Sequence, residues 1–319
     1  MKKETILIIG ANGQIGSVLT ETLRESLGRD KVIATDIKKP TEETGPFELL
    51  DILDKAQLHK LIRKYKVRQI YHLAAILSAK GEQNPKMAWD VNMVGLFNVL
   101  ELAKEEKLKV FFPSSIAVFG SHTPQQNTPQ ETILQPETVY GISKVSGELW
   151  CQYYFNKYGV DVRSVRYPGI IGYQSMPGGG TTDYAVEIFH YAVQGIPYTC
   201  FLKSDTELPM LYMEDAIKAT LEVMDCASDK LSVRTSYNLA GMSFTPAQLG
   251  DAIKKWIPQF ELSYEPDFRQ EIAEGWPGSI DDQVARKDWG WQPAFDLEKM
   301  TKDMIQKLGK KYRKENVFA

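Results

Sequence analysis

Thr5-Ile-Leu-Ile-Ile-Gly10-Ala-Asn-Gly13-Gln-Ile-Gly16 is the stretch whose reading decides the fold. Thr5 to Ile9 is a short apolar run dense in β-branched residues, which reads as a buried strand. It runs directly into three glycines, and Ile15, Val18, Leu19 and Leu23 then recur at helical spacing. Strand, glycine turn and helix make the phosphate-binding unit of a dinucleotide fold. Gly10 permits the tight turn, Gly13 lets backbone approach a pyrophosphate, and Gly16 lets the helix close on the strand. The helix N-terminus offers unpaired N–H groups to the anion. Asn12, Gln14 and Ile15 ride on the same turn and are expected beside the cofactor.

The next strand, Lys31 to Asp36, ends in a carboxylate 20 residues after Gly16. An acid there accepts hydrogen bonds from the adenine ribose hydroxyls and repels a 2′-phosphate. NAD is therefore read over NADP, although Lys38 and Lys39 follow Ile37. The plain alternative for Asp36 is a loop Asp that starts a turn.

Strands and helices alternate beyond this point. Phe47–Asp51, Arg68–Ala75, Lys109–Ser115 and Asp161–Tyr167 read as strands. About 85–107 and 137–158 read as helices, as does a stretch through Leu58, Leu61 and Ile62. The pattern predicts an α/β fold with a doubly wound parallel Rossmann sheet and a smaller C-terminal substrate-binding lobe. The expected division is 1–167 for the nucleotide domain, with 208–240 returning to it. Residues 168–207 and 241–319 are expected to form the smaller lobe. Ligands bind such sheets at strand carboxyl ends, where Gly10, Asp36, His72 to Ala75, Ser114-Ser115 and Tyr167-Pro168 all fall.

Composition narrows the function classes. The chain has 319 residues, net charge −3 and pI about 5.9, so no basic face for nucleic acid is implied. No apolar stretch approaches the roughly 18–20 residues of a membrane span. The chain goes from Met-Lys-Lys-Glu straight into a strand, which reads as no leader peptide. Cys151, Cys200 and Cys226 are scattered and no histidine clusters with them, so no metal site is expected. A reducing, cytoplasmic compartment is the default reading.

The chemistry is carried by Tyr140-Gly-Ile-Ser-Lys144, downstream of Ser114-Ser115. A Tyr and a Lys four apart share a helix face. An ammonium beside a phenol favours the phenolate, which makes a usable base. A serine hydroxyl from a strand end then holds the oxygen that loses its proton. The plain reading of the pair is a surface Lys beside a half-buried Tyr.

These residues resemble a known family, the extended short-chain dehydrogenase/reductases, which include nucleotide-sugar epimerases. The shared elements are the glycine turn, Asp36, Asp51-Ile52, His72-Leu-Ala-Ala75, Asn92, Ser114-Ser115, Val118-Phe-Gly120, Tyr140-x-x-x-Lys144 and Arg166-Tyr-Pro-Gly169. In the second half, three stretches look like the short-chain type of L-threonine 3-dehydrogenase. They are Ser175 to Ala185, Leu208 to Asp215 and Gly275 to Asp281. The resemblance implies Tyr140 as general base for the threonine C3 hydroxyl. Lys144 would tune it and hold the nicotinamide ribose, and Ser115 would be the catalytic hydroxyl. Asp51 and Ile52 would border the adenine. Leu73, Ala74 and Ala75 would line the diphosphate path, with Asn92, Ser114, Tyr167 and Pro168 also beside the cofactor. An ordinary polar helix position is the alternative for Asn92.

A site for threonine needs donors for a carboxylate, acceptors for an ammonium and little apolar volume. Gly178 to Thr182 supplies close backbone N–H groups and two hydroxyls, and a turn of this kind forms an anion nest. Gly180, Thr181, Thr182, Ser78, Ser114, Tyr140 and Trp276 are therefore the expected substrate contacts. A plain linker remains open for Gly178 to Gly180, and a core aromatic for Trp276. The expected reaction is NAD-dependent oxidation of L-threonine to 2-amino-3-oxobutyrate. A nucleotide-sugar epimerase or dehydratase and a non-catalytic NAD sensor are the competing classes. The helices near 85–107 and 137–158 are expected to pair across a two-fold axis as a four-helix bundle, giving a homodimer, as in relatives.

Overall fold

The computed structural model describes residues 4–42, 44–176 and 178–315. Pro177 of the glycine–threonine stretch and Met1 to Lys3 lie outside them. The strands are β1 (Thr5–Ile9), β2 (Val32–Asp36), β3 (Phe47–Leu49), β4 (Val67–His72), β5 (Lys109–Ser115) and β6 (Val162–Tyr167). They continue as β7 (Gly169–Ile171), β8 (Tyr198–Cys200), β9 (Leu208–Tyr212), β10 (Tyr237–Asn238), β11 (Met242–Phe244) and β12 (Leu262–Tyr264). A seven-stranded parallel sheet runs β10-β6-β5-β4-β1-β2-β3. The order reverses beside β1, so a crevice opens at its carboxyl end. The fold is α/β and Rossmann-like.

Both faces of the sheet are covered, which is why its strands read as unbroken apolar runs. On one face Leu7, Ile9 and Ile70 pack with Leu58, Leu61, Leu96 and Leu100 of the helices Lys55–Tyr65 and Gly95–Glu106. On the other, Ile6 and Ile8 pack with Leu19, Leu23 and Val223 of the helices Gln14–Leu27 and Met213–Asp225. A third core, around Tyr184, Phe189, Tyr212 and Met304, lies beneath the three-stranded sheet β11-β9-β7.

The chain crosses between these parts more than the expected division allowed. Within 208–240, β9 joins the small sheet, whereas the helix Met213–Asp225 and β10 serve the large one. Within 241–319, Ala285 and Trp291 bury in the nucleotide-domain core, not the small lobe. Trp291 is anchored there by Nε1 donating to Asp282 Oδ2 at 2.9 Å. A buried indole needs such a partner.

The helix expected over 85–107 is interrupted. Pro85–Trp89 and Gly95–Glu106 are α-helical, but Asp90–Val94 is a π turn. Asn92 sits in that turn and reaches back to the loop after β4. Its Oδ1 accepts from Ile76 N at 2.8 Å and its Nδ2 donates to Ile76 O at 3.1 Å. Side-chain bonds with main chain elsewhere accompany the local widening, and such bulges recur at functional sites.

Candidate active site

The glycine turn is built by exclusion of side chains. Gly10 has φ +86°, and a Cβ there would lie 2.7 Å from Ala74 N. Gly16 touches the turn itself, since a Cβ would meet Gly10 O at 2.1 Å. The helix Gln14–Leu27 starts at Gly13 with no side-chain cap, so its first N–H groups stay available to an anion. Asp36 Oδ2 accepts from Asn12 N at 3.0 Å and Oδ1 from Ile37 N at 2.8 Å. The carboxylate thus ties the turn to β2, and Asn12 Nδ2 adds a bond to Lys38 O.

Asp36, Ile37, Asp51, Ile52, Ala74 and Ala75 line a cavity at the outer end of the turn. A second cavity holds Gln14, Ile15, Ser115, Tyr140, Lys144 and Trp276. The two share Gly10, Gly13, Leu73 and Ala75 and so form one groove across the strand ends. Tyr167 and Pro168 line the inner part. Tyr167's hydroxyl is turned away into a bond with Thr220, so only its body faces the groove. Asn92 lines neither cavity. Instead it pins the Ile76 loop and donates to Ser143 Oγ at 3.1 Å.

The helix Val139–Tyr158 is placed by two contacts. Thr138 caps it, accepting from Gly141 N at 3.1 Å. Gly141 lies so close to Ala117 that a Cβ would sit 2.1 Å from its carbonyl oxygen. The first helical turn is therefore pressed against the segment after Ser115, and Tyr140, Ser115 and Lys144 come to one wall. Ser115 Oγ accepts from Ala117 N at 3.2 Å.

Burial dominates the electrostatics of that wall. Burial pushes the Tyr140 phenol up to about 12, with Ser115 pulling the other way. Burial holds the Lys144 ammonium down to about 8, against opposing effects of Cys151 and Glu148. Burial therefore sets the direction of both shifts, with Lys144 Nζ 5.4 Å from the centre of the Tyr140 ring. Its Nζ donates to Pro113 O at 2.7 Å and lies over the Phe112 ring. Either charge alone is penalised in the dry groove.

The substrate-side residues are placed unevenly. Ser78, Gly180, Thr181, Thr182 and Trp276 line the same cavity as Tyr140. Trp276 is also part of the small lobe's core, so its two readings are compatible. Thr181 Oγ1 is buried and has no hydrogen-bond partner among the described residues. The expected open nest is already filled. Gly179 N and Gly180 N both donate to Asp183 Oδ2, at 2.7 and 2.6 Å. Asp183 lines the cavity, and burial raises its carboxyl above the usual range. Sequence reading missed it. Its signal was an acid directly before the apolar helix Tyr184–Val193, an N-cap position. Ser114 is likewise less free than expected, because its hydroxyl donates to Glu148 Oε1 at 2.5 Å.

Among the described residues, no group of three or more His, Cys, Asp or Glu is placed to hold a metal ion. No helix among them is long and apolar enough to cross a membrane.

A strand–glycine–helix turn, an acid after β2, and a Ser, Tyr and Lys on one wall define a dinucleotide-dependent enzyme of oxidoreductase type. A model of the NAD dependent epimerase/dehydratase family matches residues 6–240. The chain belongs to that family, the extended short-chain dehydrogenase/reductases. An uncharacterized epimerase/dehydratase of Staphylococcus haemolyticus is 50% identical over 313 residues, covering 97% of this chain and 98% of that one. The structure of a GalE-like L-threonine dehydrogenase from Cupriavidus necator, in its holo form, is 56% identical with TM-score 0.94. It covers 95% of this chain and 99% of its own. An L-threonine dehydrogenase from Phytophthora infestans is 50% identical with TM-score 0.95, covering 97% and 100%.

Proposed function

We propose that this chain oxidises L-threonine at C3 to 2-amino-3-oxobutyrate with NAD, a step of threonine breakdown toward glycine. The observation that carries the reading is a buried, unpaired hydroxyl beside the Tyr–Ser wall. Thr181's partnerless buried hydroxyl lies in the cavity that Tyr140 and Ser115 line and Trp276 bounds. An unpaired buried hydroxyl costs roughly 1–3 kcal/mol, and a polar ligand group recovers it. The threonine dehydrogenase structures at 50–56% identity support the same substrate.

The residues present fit the cofactor. The uncapped helix start at Gly13 would hold the diphosphate, Asp36 the adenine ribose, and Tyr140 and Lys144 the nicotinamide ribose, with Asp51 and Ile52 bordering the adenine. NAD, when bound, supplies the hydride acceptor and a positive charge beside the phenol. Tyr140 takes the C3 hydroxyl proton, Ser115 holds the oxygen, and Lys144 stabilises the phenolate through that transfer. Ser78, Ser114, Thr181 and Thr182 hold the amino acid's carboxylate and ammonium. Trp276 excludes water. No metal enters the scheme.

The helices Pro85–Trp89, Gly95–Glu106 and Val139–Tyr158 leave Met87, Leu149, Trp150 and Tyr153 exposed. Such a patch suits isologous pairing, so a homodimer built on a four-helix bundle is part of the proposal. Three free cysteines, two of them buried, suit a reducing cytoplasm.

The test is NADH formation with L-threonine, set against UDP-glucose and UDP-galactose. Threonine-dependent reduction of NAD supports the reading. Turnover of a nucleotide sugar with threonine inert would move the chain to the epimerase branch.

A further inference from the structure

We propose that Glu148 fixes Ser114 as a hydrogen-bond acceptor, and that Ser114 thereby selects the substrate's ammonium group over its carboxylate. The assignment rests on the threonine reading and divides the polar contacts that reading leaves undivided.

Three observations carry it. Ser114 and Glu148 are both almost fully buried, at 2% and 1% exposure, yet Ser114 lines the cavity that holds Tyr140. The Ser114 hydroxyl donates to Glu148 Oε1 at 2.5 Å. Glu148 is clamped by Arg166, whose Nε donates to Oε1 at 2.9 Å and Nη2 to Oε2 at 2.8 Å. Arg166 is itself tied to Asn238 Oδ1 at 3.0 Å.

The topology makes the arrangement rigid. Ser114 and Arg166 are register partners on β5 and β6. Glu148 follows Tyr140 and Lys144 at successive turns of one helix. One helix therefore presents the base, the amine and the group that orients Ser114. The carboxylate cannot swing off without breaking a paired fork of bonds.

A serine hydroxyl has one proton and two lone pairs. With the proton directed at Glu148, Ser114 offers the cavity lone pairs only. A carboxylate placed there finds no donor, whereas an ammonium finds an acceptor. Arg166 balances the Glu148 charge, so the hydroxyl is polarised without adding net charge to the wall. Ser115, the neighbouring serine, has the opposite bias. Its oxygen accepts from Ala117 N, which leaves its proton for the reacting oxygen.

The test uses three ligands of the full-length protein with NAD: L-threonine, 1-aminopropan-2-ol, which lacks the carboxylate, and 3-hydroxybutyrate, which lacks the amine. The last two are measured as competitive inhibitors of threonine oxidation. Ser114→Ala is expected to raise the threonine KM and the amino-alcohol Ki by roughly tenfold, equivalent to about 1.4 kcal/mol. The 3-hydroxybutyrate Ki should stay within about twofold of its original value. Glu148→Leu, which leaves Ser114 no acceptor there, should reproduce that pattern with the Kd for NAD unchanged. If the unpaired Arg166 unfolds that variant, Glu148→Leu with Arg166→Met removes the buried charge and serves in its place. Weakening of 3-hydroxybutyrate with the amino alcohol spared would overturn the assignment, because Ser114 would then hold the carboxylate. Equal weakening of all three ligands by the Glu148 variant would reduce Glu148 to a structural role. Threonine inert with the unmodified protein would overturn the substrate reading, and this assignment with it.

Discussion

Gly10→Ala is the sharpest structural perturbation of the cofactor groove. The backbone at Gly10 has φ +86°, which costs an L side chain roughly 1–2 kcal/mol. The added Cβ would lie 2.7 Å from Ala74 N and 2.9 Å from Ala74 Cα. Ordinary contact begins near 3.4 Å, and both neighbours are backbone, so no side chain can swing away. Overpacking of this kind costs about 1–3 kcal/mol. The two effects together predict a loss of about 2–5 kcal/mol. A thermal melt should fall by about 3–7 °C for a chain of this size. The displaced Ala74 also lines the groove, so NAD affinity should fall about tenfold or more, read from quenching of protein fluorescence on titration. A variant that melts within a degree or so of the parent and binds NAD equally well would refute the reasoning.

Tyr140→Phe should remove most of the turnover and leave the NAD Kd nearly intact, because the phenol oxygen meets the reacting hydroxyl; retained kcat would remove the assignment. In the protein alone burial holds the Lys144 ammonium down to about 8 and pushes the Tyr140 phenol up to about 12. With NAD's positive charge beside the phenol, kcat/KM should rise with pH through an apparent pKa below the unperturbed phenol value of about 10, and a profile flat from about pH 6 to 10 would contradict this. Asp36→Ala should raise the KM for NAD and narrow the preference over NADP, and an unmodified protein that uses both equally would void that reading of Asp36. His72 is 2% exposed and stays neutral, because burial and then the nearby Lys144 charge depress its pKa to about 3. The unfolded chain takes up that proton near 6.5, so the stability His72 contributes is complete above 6.5 and declines as pH falls. Between pH 7 and 5 the loss should be about 2 kcal/mol by urea unfolding, and His72→Leu should flatten it; equal slopes in both proteins would contradict the claim.

The local code was legible where one residue type answers one geometric demand. The three glycines after β1, the acid ending β2 and the Tyr–Lys helical pair each stand where the groove needs them. The sequence pattern could not give contacts made by chain distant in sequence. The π turn at Asn92 depends on Ile76, across a loop that periodicity does not span. The nest over Gly179 and Gly180 reads as an anion site whatever fills it, and Asp183 fills it only because the next helix begins there. Trp291 returns to the nucleotide-domain core from the far end of the chain, which composition along the sequence cannot foretell. The Tyr140–Lys144 spacing shows a phenol and an ammonium on one helix face but not the burial that both side chains undergo.

The central claim is that hydride leaves C3 of L-threonine, and isotope transfer tests it most directly. L-threonine deuterated at C3 is incubated with the protein and NAD, and the recovered reduced cofactor is weighed by mass spectrometry. The account predicts one deuterium per NADH formed, its appearance slowed relative to the unlabelled substrate, and none with Tyr140→Phe beyond residual turnover. NADH that carries no deuterium, or no NADH at all, would contradict it.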